Sequence, residues 1–293
     1  MSFLSYLIRG ISLGSVYSII ALGYTMVYGI AKMLNFAHGD VIMIGGYVIF
    51  TILSVMGLPS LVAVSVGIII CTLLGVTIER IAYKPLRSAS SLAVLITAIG
   101  VSYFLQNLAL IIFGADAKSF TSVIKIHPLE LAGGELTISG ETLVTIPLCI
   151  IIMVFLSIFV KKSKVGRGMI AVSEDKEAAI LMGVNVNRTI TITFAIGSAL
   201  AAVASALMFS AYPALSTTSG AMPGIKAFVA AVFGGIGSIP GAMLGGILLG
   251  IIEILSRAYI SSQLADAIVF LVLILVLLVK PTGILGKKIQ EKV

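Results

Sequence analysis

Residues 61–78, 92–113, 143–160 and 189–212 each run without a charged residue. Each stretch is close to the ~20 residues that an α-helix needs to cross a bilayer. In hydrocarbon the backbone must satisfy its own polar groups, which leaves helices or closed barrels. A soluble domain carries about 25% charged residues; here 11% of the residues are charged and 59% are hydrophobic. The chain is expected to be all-α, a polytopic membrane helical bundle forming one domain over residues 1–293. Arg9 interrupts the first apolar stretch, so no cleavable signal peptide is expected there.

The net charge of +7 could suggest nucleic acid, but most of the 19 Lys and Arg lie in three places: 80–87, 161–188 and 280–292. Basic clusters beside apolar segments mark the cytoplasmic side, so the charge points to membrane topology and to no nucleic-acid partner. The stretch 114–142 holds more acids than lysines and is read as an outer loop. Within it, 123–126 and 136–138 could form a small hairpin. Three anchors on one side require even numbers of crossings between them, giving about seven to nine transmembrane segments. The N-terminus then falls outside unless 32–39 is re-entrant. Cys71 and Cys149 sit in apolar segments and read as packing residues, not as a disulfide or metal pair.

Two regions break the pattern. Segment 4–30 carries Gly10, Gly14, Gly23 and Gly29, which suits close packing inside a bundle. It is followed by the polar run 32–40, after which 41–55 resumes as a helix with Asp40 at its start. Region 213–250 is dense in Gly and Pro. It reads as a half-span at 225–233, a link at 234–241 and a second short helix at 242–255, a possible broken or hairpin element. Gly241-x-x-x-Gly245 and Gly246-x-x-x-Gly250 suit close helix contacts. A last span is expected at 266–279.

The stretch 166–188 carries both signs of charge between apolar segments. Ser173 is placed to cap a helix whose first turn holds Glu174, Asp175 and Glu177, with Ala178 and Ala179 following and Gly183 ending it. Such a helix is too short to span a bilayer. It is shaped either to dock on a partner or simply to connect two spans at the interface.

No phosphate-cradling loop with its lysine occurs, His38 and His127 stand alone, and no catalytic triad is suggested locally. Neither catalytic nor metal residues are expected. ATP hydrolysis, if used, would belong to a separate chain.

Four motifs then carry a resemblance. They are Gly14-Ser15-Val16-Tyr17-Ser18 with its continuation to Gly29, and Leu34-Asn35-Phe36-Ala37-His38-Gly39-Asp40. Further on come Gly166-Arg167-Gly168-Met169-Ile170-Ala171-Val172 with Asp175, Ala178, Ala179 and Gly183, and residues 226–241. In this order they resemble permease subunits of the hydrophobic and branched-chain amino-acid ABC uptake family, of the LivH type, over nearly the whole chain. The family's position after Arg167 is often Ala, where this chain has Gly168.

The resemblance implies a multi-pass subunit of the prokaryotic inner membrane with related inverted halves. It implies a second permease chain, two ATP-binding cassette subunits that hold the ATP, an extracytoplasmic solute-binding protein, and no cofactor on this chain. Arg167, Ser173, Glu174, Asp175, Glu177, Ala178, Ala179 and Gly183 would form the ATPase-coupling element within a cytoplasmic loop 161–188. Asn35, Phe36, His38, Gln106 and Asn107 are candidates for the translocation pathway. For Asn35 and His38 the plainer reading is a turn satisfying freed backbone groups. For Gln106 and Asn107 it is hydrogen bonding between helices. Glu253 and Arg257, four residues apart, read as a structural pair, and neither Glu253 nor Asp266 looks central. The pathway is expected to be nearly free of charges, as suits an apolar zwitterion. A permease for urea, amides or other amino acids remains open, as does a stand-alone secondary transporter.

Overall fold

In the computed structural model, which describes residues 2–87, 89–131 and 136–286, long apolar helices dominate. The first half contains α1 (Ser2–Ala31), α2 (His38–Phe50), α3 (Ser60–Ile78), α4 (Ser91–Phe113) and α5 (Gly140–Lys162). Helix α2 continues through a π-helical turn, Thr51–Val55, and α3 through another, Glu79–Tyr83. Short helices α6 (Lys164–Glu174) and α7 (Lys176–Leu181) lead into α8 (Val186–Ala211), α9 (Ala221–Gly234), α10 (Ile239–Tyr259) and α11 (Ala265–Val279). Among the described residues seven helices are long and apolar enough to cross a membrane, within the expected range; α9 and α11 are shorter.

Two expectations change here. Residues 242–255 are no short helix, because α10 runs for 21 residues. Its glycines lie on packed faces instead of breaking it, and Glu253 and Arg257 pair inside it. Residues 266–279 form no full span, since α11 has 15 residues, roughly 22 Å at 1.5 Å per residue against a core of about 30 Å.

The packing reveals two inverted halves. The order α1–α2–α3–α4 is matched by α8–α9–α10–α11. Helix α1 lies along α10 as α8 lies along α3; α1 meets α9 as α8 meets α2; α2–α3 is matched by α9–α10, and α2–α4 by α9–α11. Helices α1 and α8 also pack on each other, meeting at Gly23 and Gly197. The α1–α10 contact is close. A Cβ at Gly14 would stand 2.6 Å from Ile247 Cα, so backbone rests on backbone, the arrangement small residues allow in membranes. Helices α1 and α8 are largely buried, whereas α4 and α5 leave most of their surface bare.

The basic regions gather on one face. Lys176 Nζ on α7 donates to the Ala31 carbonyl at the end of α1 (3.3 Å). Arg87 donates to Asn187 at the start of α8. Ile284 and Leu285 bond the end of α9 through Phe233 and Gly234. Lys287, Lys288 and Lys292 of the tail cluster lie outside the described residues. This is the face that the positive-inside rule would turn toward the cytoplasm.

On the opposite face β1 (Lys118–Ser119) pairs antiparallel with β4 (Ala214–Leu215), and β2 (Leu129–Leu131) with β3 (Leu136–Ile138). The hairpin thus uses 129–131 where 123–126 was expected. That earlier segment is tied to α8, because Val123 N–H donates to Ser210 Oγ (3.1 Å). Cys71 and Cys149 are free and buried, as read.

Candidate functional site

Both halves break after their first helix. Lys32, in the left-handed region at φ 58°, ends α1. The chain then turns back, and α2 starts at His38, beside Gly23. In the second half the chain leaves α8, pairs as β4 with the outer strand, and starts α9 at Ala221. The two restarts touch. A Cβ at Gly39 would stand 2.5 Å from the Gly220 carbonyl oxygen, and one at Gly220 would clash with that of Gly39. Only glycine fits on both sides of this crossing, where two helix N-termini meet inside the bundle.

Asn35, Phe36 and His38 all lie here. Asn35 is buried, and its Oδ1 accepts the Tyr83 hydroxyl (2.9 Å), while its backbone carbonyl receives His38 N–H (3.1 Å). His38 is buried with its ring 4.7 Å from that of Tyr24, one ring nitrogen bonded to the Ile20 backbone and Nε2 without a partner. Phe36 packs 5.5 Å from Phe228 of α9. Gln106 and Asn107 separate. Gln106 Nε2 on α4 donates to Asp40 Oδ1 on α2 (2.9 Å), the interhelical bond that was the plainer reading. Asn107 faces outward and donates to its own helix at the Tyr103 carbonyl (2.8 Å).

The interior holds more charge than the near absence of intramembrane acids and bases expected from the sequence. Asp40, Glu79, Lys226 and Glu253 are all buried. Glu79 receives Arg87 and the Thr191 hydroxyl (2.8 Å) of α8. Glu253 receives Arg257, the Tyr17 hydroxyl (2.9 Å) of α1 and Lys226 Nζ (2.8 Å) of α9. Lys226 also reaches Asp266 on α11 (2.7 Å). The pairing of Glu253 with Arg257 is as expected, but it is one edge of a larger cluster in which Asp266 takes part. The same number of positions separates Glu79 from Glu253, Tyr17 from Thr191, and Gly23 from Gly197. The two carboxylates are therefore repeat equivalents at opposite depths.

The short helices correct the reading of 166–188. Ser173 does not cap. It sits in the last turn of α6 and donates to the Ile170 carbonyl (2.7 Å). Asp175 caps α7, accepting from Glu177 N–H (2.9 Å) and Ala178 N–H (3.0 Å). A carboxylate two residues closer to the apolar run serves the orphan donors at the start of α7 and adds its charge to the dipole. Glu174 thus ends α6 instead of opening α7. Gly183 closes the unit at φ 79°, as expected. Ala179 is buried, so it anchors the helix, while Arg167, Glu174, Glu177 and Ala178 are exposed. Leu181 and Met182 beside them are 88% and 83% exposed. Burial, then the charges of Arg87 and Lys32, holds Lys176 below the usual lysine pKa.

The family described as branched-chain amino acid transport system / permease component matches residues 6–277. The chain belongs to this family. The permease is 44% identical to the high-affinity branched-chain amino acid transport system permease protein BraD of Pseudomonas aeruginosa, over 99% of this chain and 98% of that protein. It is 46% identical to LivH of Escherichia coli K12, over 99% and 98%. A probable branched-chain amino acid transport permease protein LivH of Methanocaldococcus jannaschii is 28% identical, over 92% and 88%.

Reading the permease from sequence missed Tyr17, Glu79, Thr191 and Lys226. The signal for Lys226 was present: a lysine inside the apolar run 225–233 marks function by default. Glu79 follows directly on the uncharged run 61–78, and its depth became visible only with the π-helical turn that carries it on from α3.

Proposed function

We propose that this chain is the membrane-spanning subunit of an ATP-driven importer for branched-chain or other hydrophobic amino acids, seated in a prokaryotic inner membrane. A second permease completes the pathway, two ATP-binding cassette subunits hydrolyse the ATP, and an extracytoplasmic binding protein delivers the solute. The full-length match to the family carries this reading. The loop supports it: α6 and α7 hold an exposed Leu181–Met182 tip, with charges around it, on the basic face. A short helix with an apolar tip and a charged surround suits a groove on a partner.

In this scheme ATP-driven movement of the partner shifts α7. The shift reaches α1 through Lys176 and α8 through the turn at Gly183. Asn35, Phe36 and His38 lie at the crossing where two helices begin inside the bundle, the type of place at which transporters hold solute. The test is affinity purification from native membranes with mass identification, paired with leucine uptake by vesicles carrying the assembly. Two ATPase chains, a second permease and ATP-dependent uptake are expected. Isolation of this chain alone, from membranes that take up leucine without ATP, would favour a stand-alone transporter.

A further inference from the structure

The two carboxylate clusters are equivalent by position but unequal in content. Glu79 has an arginine and a hydroxyl from the opposite half. Glu253 has the same kinds of partner, Arg257 and Tyr17, and adds Lys226, which brings in Asp266. The repeat does not account for that addition. Counted from the helix starts at His38 and Ala221, the stretch of α2 that matches Lys226 holds Met43, Ile44 and Gly45, with no charge.

The added groups line a cleft of ≈ 290 Å³, near the lower end of ligand-sized pockets (about 300–1,000 Å³). Two cations and two carboxylates stand in it, balancing to zero. They differ in depth: the side chains of Lys226 and Glu253 are 5% and 0% exposed, those of Arg257 and Asp266 41% each. Leu13, Met208, Phe209 and Met222 add apolar surface. Glu253 lies roughly 21 Å along α10 from Ile239, at 1.5 Å per residue, so the cleft sits in the half away from the basic face.

We infer that this cleft is a binding site for a small zwitterion with an apolar side chain. Its carboxylate takes Lys226 and Arg257, its ammonium takes Asp266 and Glu253, and its hydrocarbon lies on the apolar wall. Each protein charge exchanges one ionic partner for another, so no buried charge is left uncompensated. A lone anion or cation would leave one, which selects against both. The inference rests on the reading of the chain as an amino-acid permease and adds the site at which this chain receives the solute.

The test uses Met222→Cys in right-side-out vesicles carrying the complete transporter, labelled with a charged methanethiosulfonate; the native Cys71 and Cys149 are buried. L-leucine is expected to slow labelling severalfold. 4-Methylpentanoate, leucine without its ammonium, and isoamylamine, leucine without its carboxylate, are expected not to. Asp266→Asn in the same background should raise the half-protecting leucine concentration by about tenfold or more, the loss expected for one charge-assisted bond. Should Met222→Cys not assemble, Ser219→Cys probes the same cleft. Labelling indifferent to leucine, or slowed equally by 4-methylpentanoate, overturns the site. Leucine uptake by vesicles carrying the transporter without the cysteine substitution, with ATP and binding protein, separates the two readings: uptake without protection removes the cleft alone, and absence of uptake removes the permease reading beneath it.

Discussion

Glu79 and Glu253 face opposite sides of the membrane, and each accepts a hydroxyl from the first helix of the other half, Thr191 for one and Tyr17 for the other. The halves are thus tied twice, once near each face. Hydrogen bonds to a buried charge contribute about 1.5–3 kcal/mol. Thr191→Val and Tyr17→Phe should each destabilise the purified transporter by about that amount in a detergent unfolding titration. If one substitution is costly and the other neutral, the two ties are not equivalent in energy.

Asp40 on α2 and Gln106 on α4 tie two helices within the first half. Gln106→Leu should remove one of the donors to a buried carboxylate and cost about 1–3 kcal/mol. Asp40→Asn with Gln106→Leu should recover part of that loss. Additive costs in this double-mutant cycle would mean that the bond is not formed in the membrane.

The exposed tip of α7 predicts a separation of insertion from coupling. Leu181→Glu with Met182→Glu should insert normally and lose the ATPase subunits on purification, with uptake falling to background. Glu177→Arg with Gly183→Val should behave in the same way. Uptake at the wild-type rate by either double variant would remove the coupling assignment.

The cap of α7 is a sharper matter. Asp175→Ala should cost about 1 kcal/mol of local stability, as loss of an N-cap does. Ser173→Ala, which removes only a bond to the preceding turn, should cost a few tenths. Hydrogen exchange at Glu177 and Ala178, the capped amides, distinguishes the two.

Much of the architecture could be read directly because lipid imposes it. Uncharged runs became the helices α3, α4, α5 and α8 within a few residues of their expected ends. Where glycine was dense the reading failed, since glycine breaks a helix in water but joins helices in a bundle. The Gly245, Gly246 and Gly250 stretch is continuous helix pressed on α9 and α1. Where a motif was local, as at Asn35–His38 and 166–188, the sequence marked the break and the short helical unit, though not which residue caps it. The site was illegible where charges from distant segments compensate one another. Lys226, Glu253, Asp266 and Tyr17 come from α9, α10, α11 and α1, and no spacing along the chain announces their meeting. Ser173 against Asp175 was a choice between two good caps, decided by where α6 happened to stop.

Helix α1 is the most buried of the long helices, yet it packs extensively on none of α2, α3 or α4; its main partners are α8, α9 and α10. The first segment made is therefore the last to be enclosed. During synthesis its Gly10, Gly14 and Ser18 face lies against lipid until the distal third of the chain has been inserted. A product truncated before α10 keeps that face bare, whatever its other helices have achieved. Completion of the C-terminal half is thus a checkpoint on the N-terminal one, and a membrane protease that senses an unpaired first helix could tell a finished permease from a fragment.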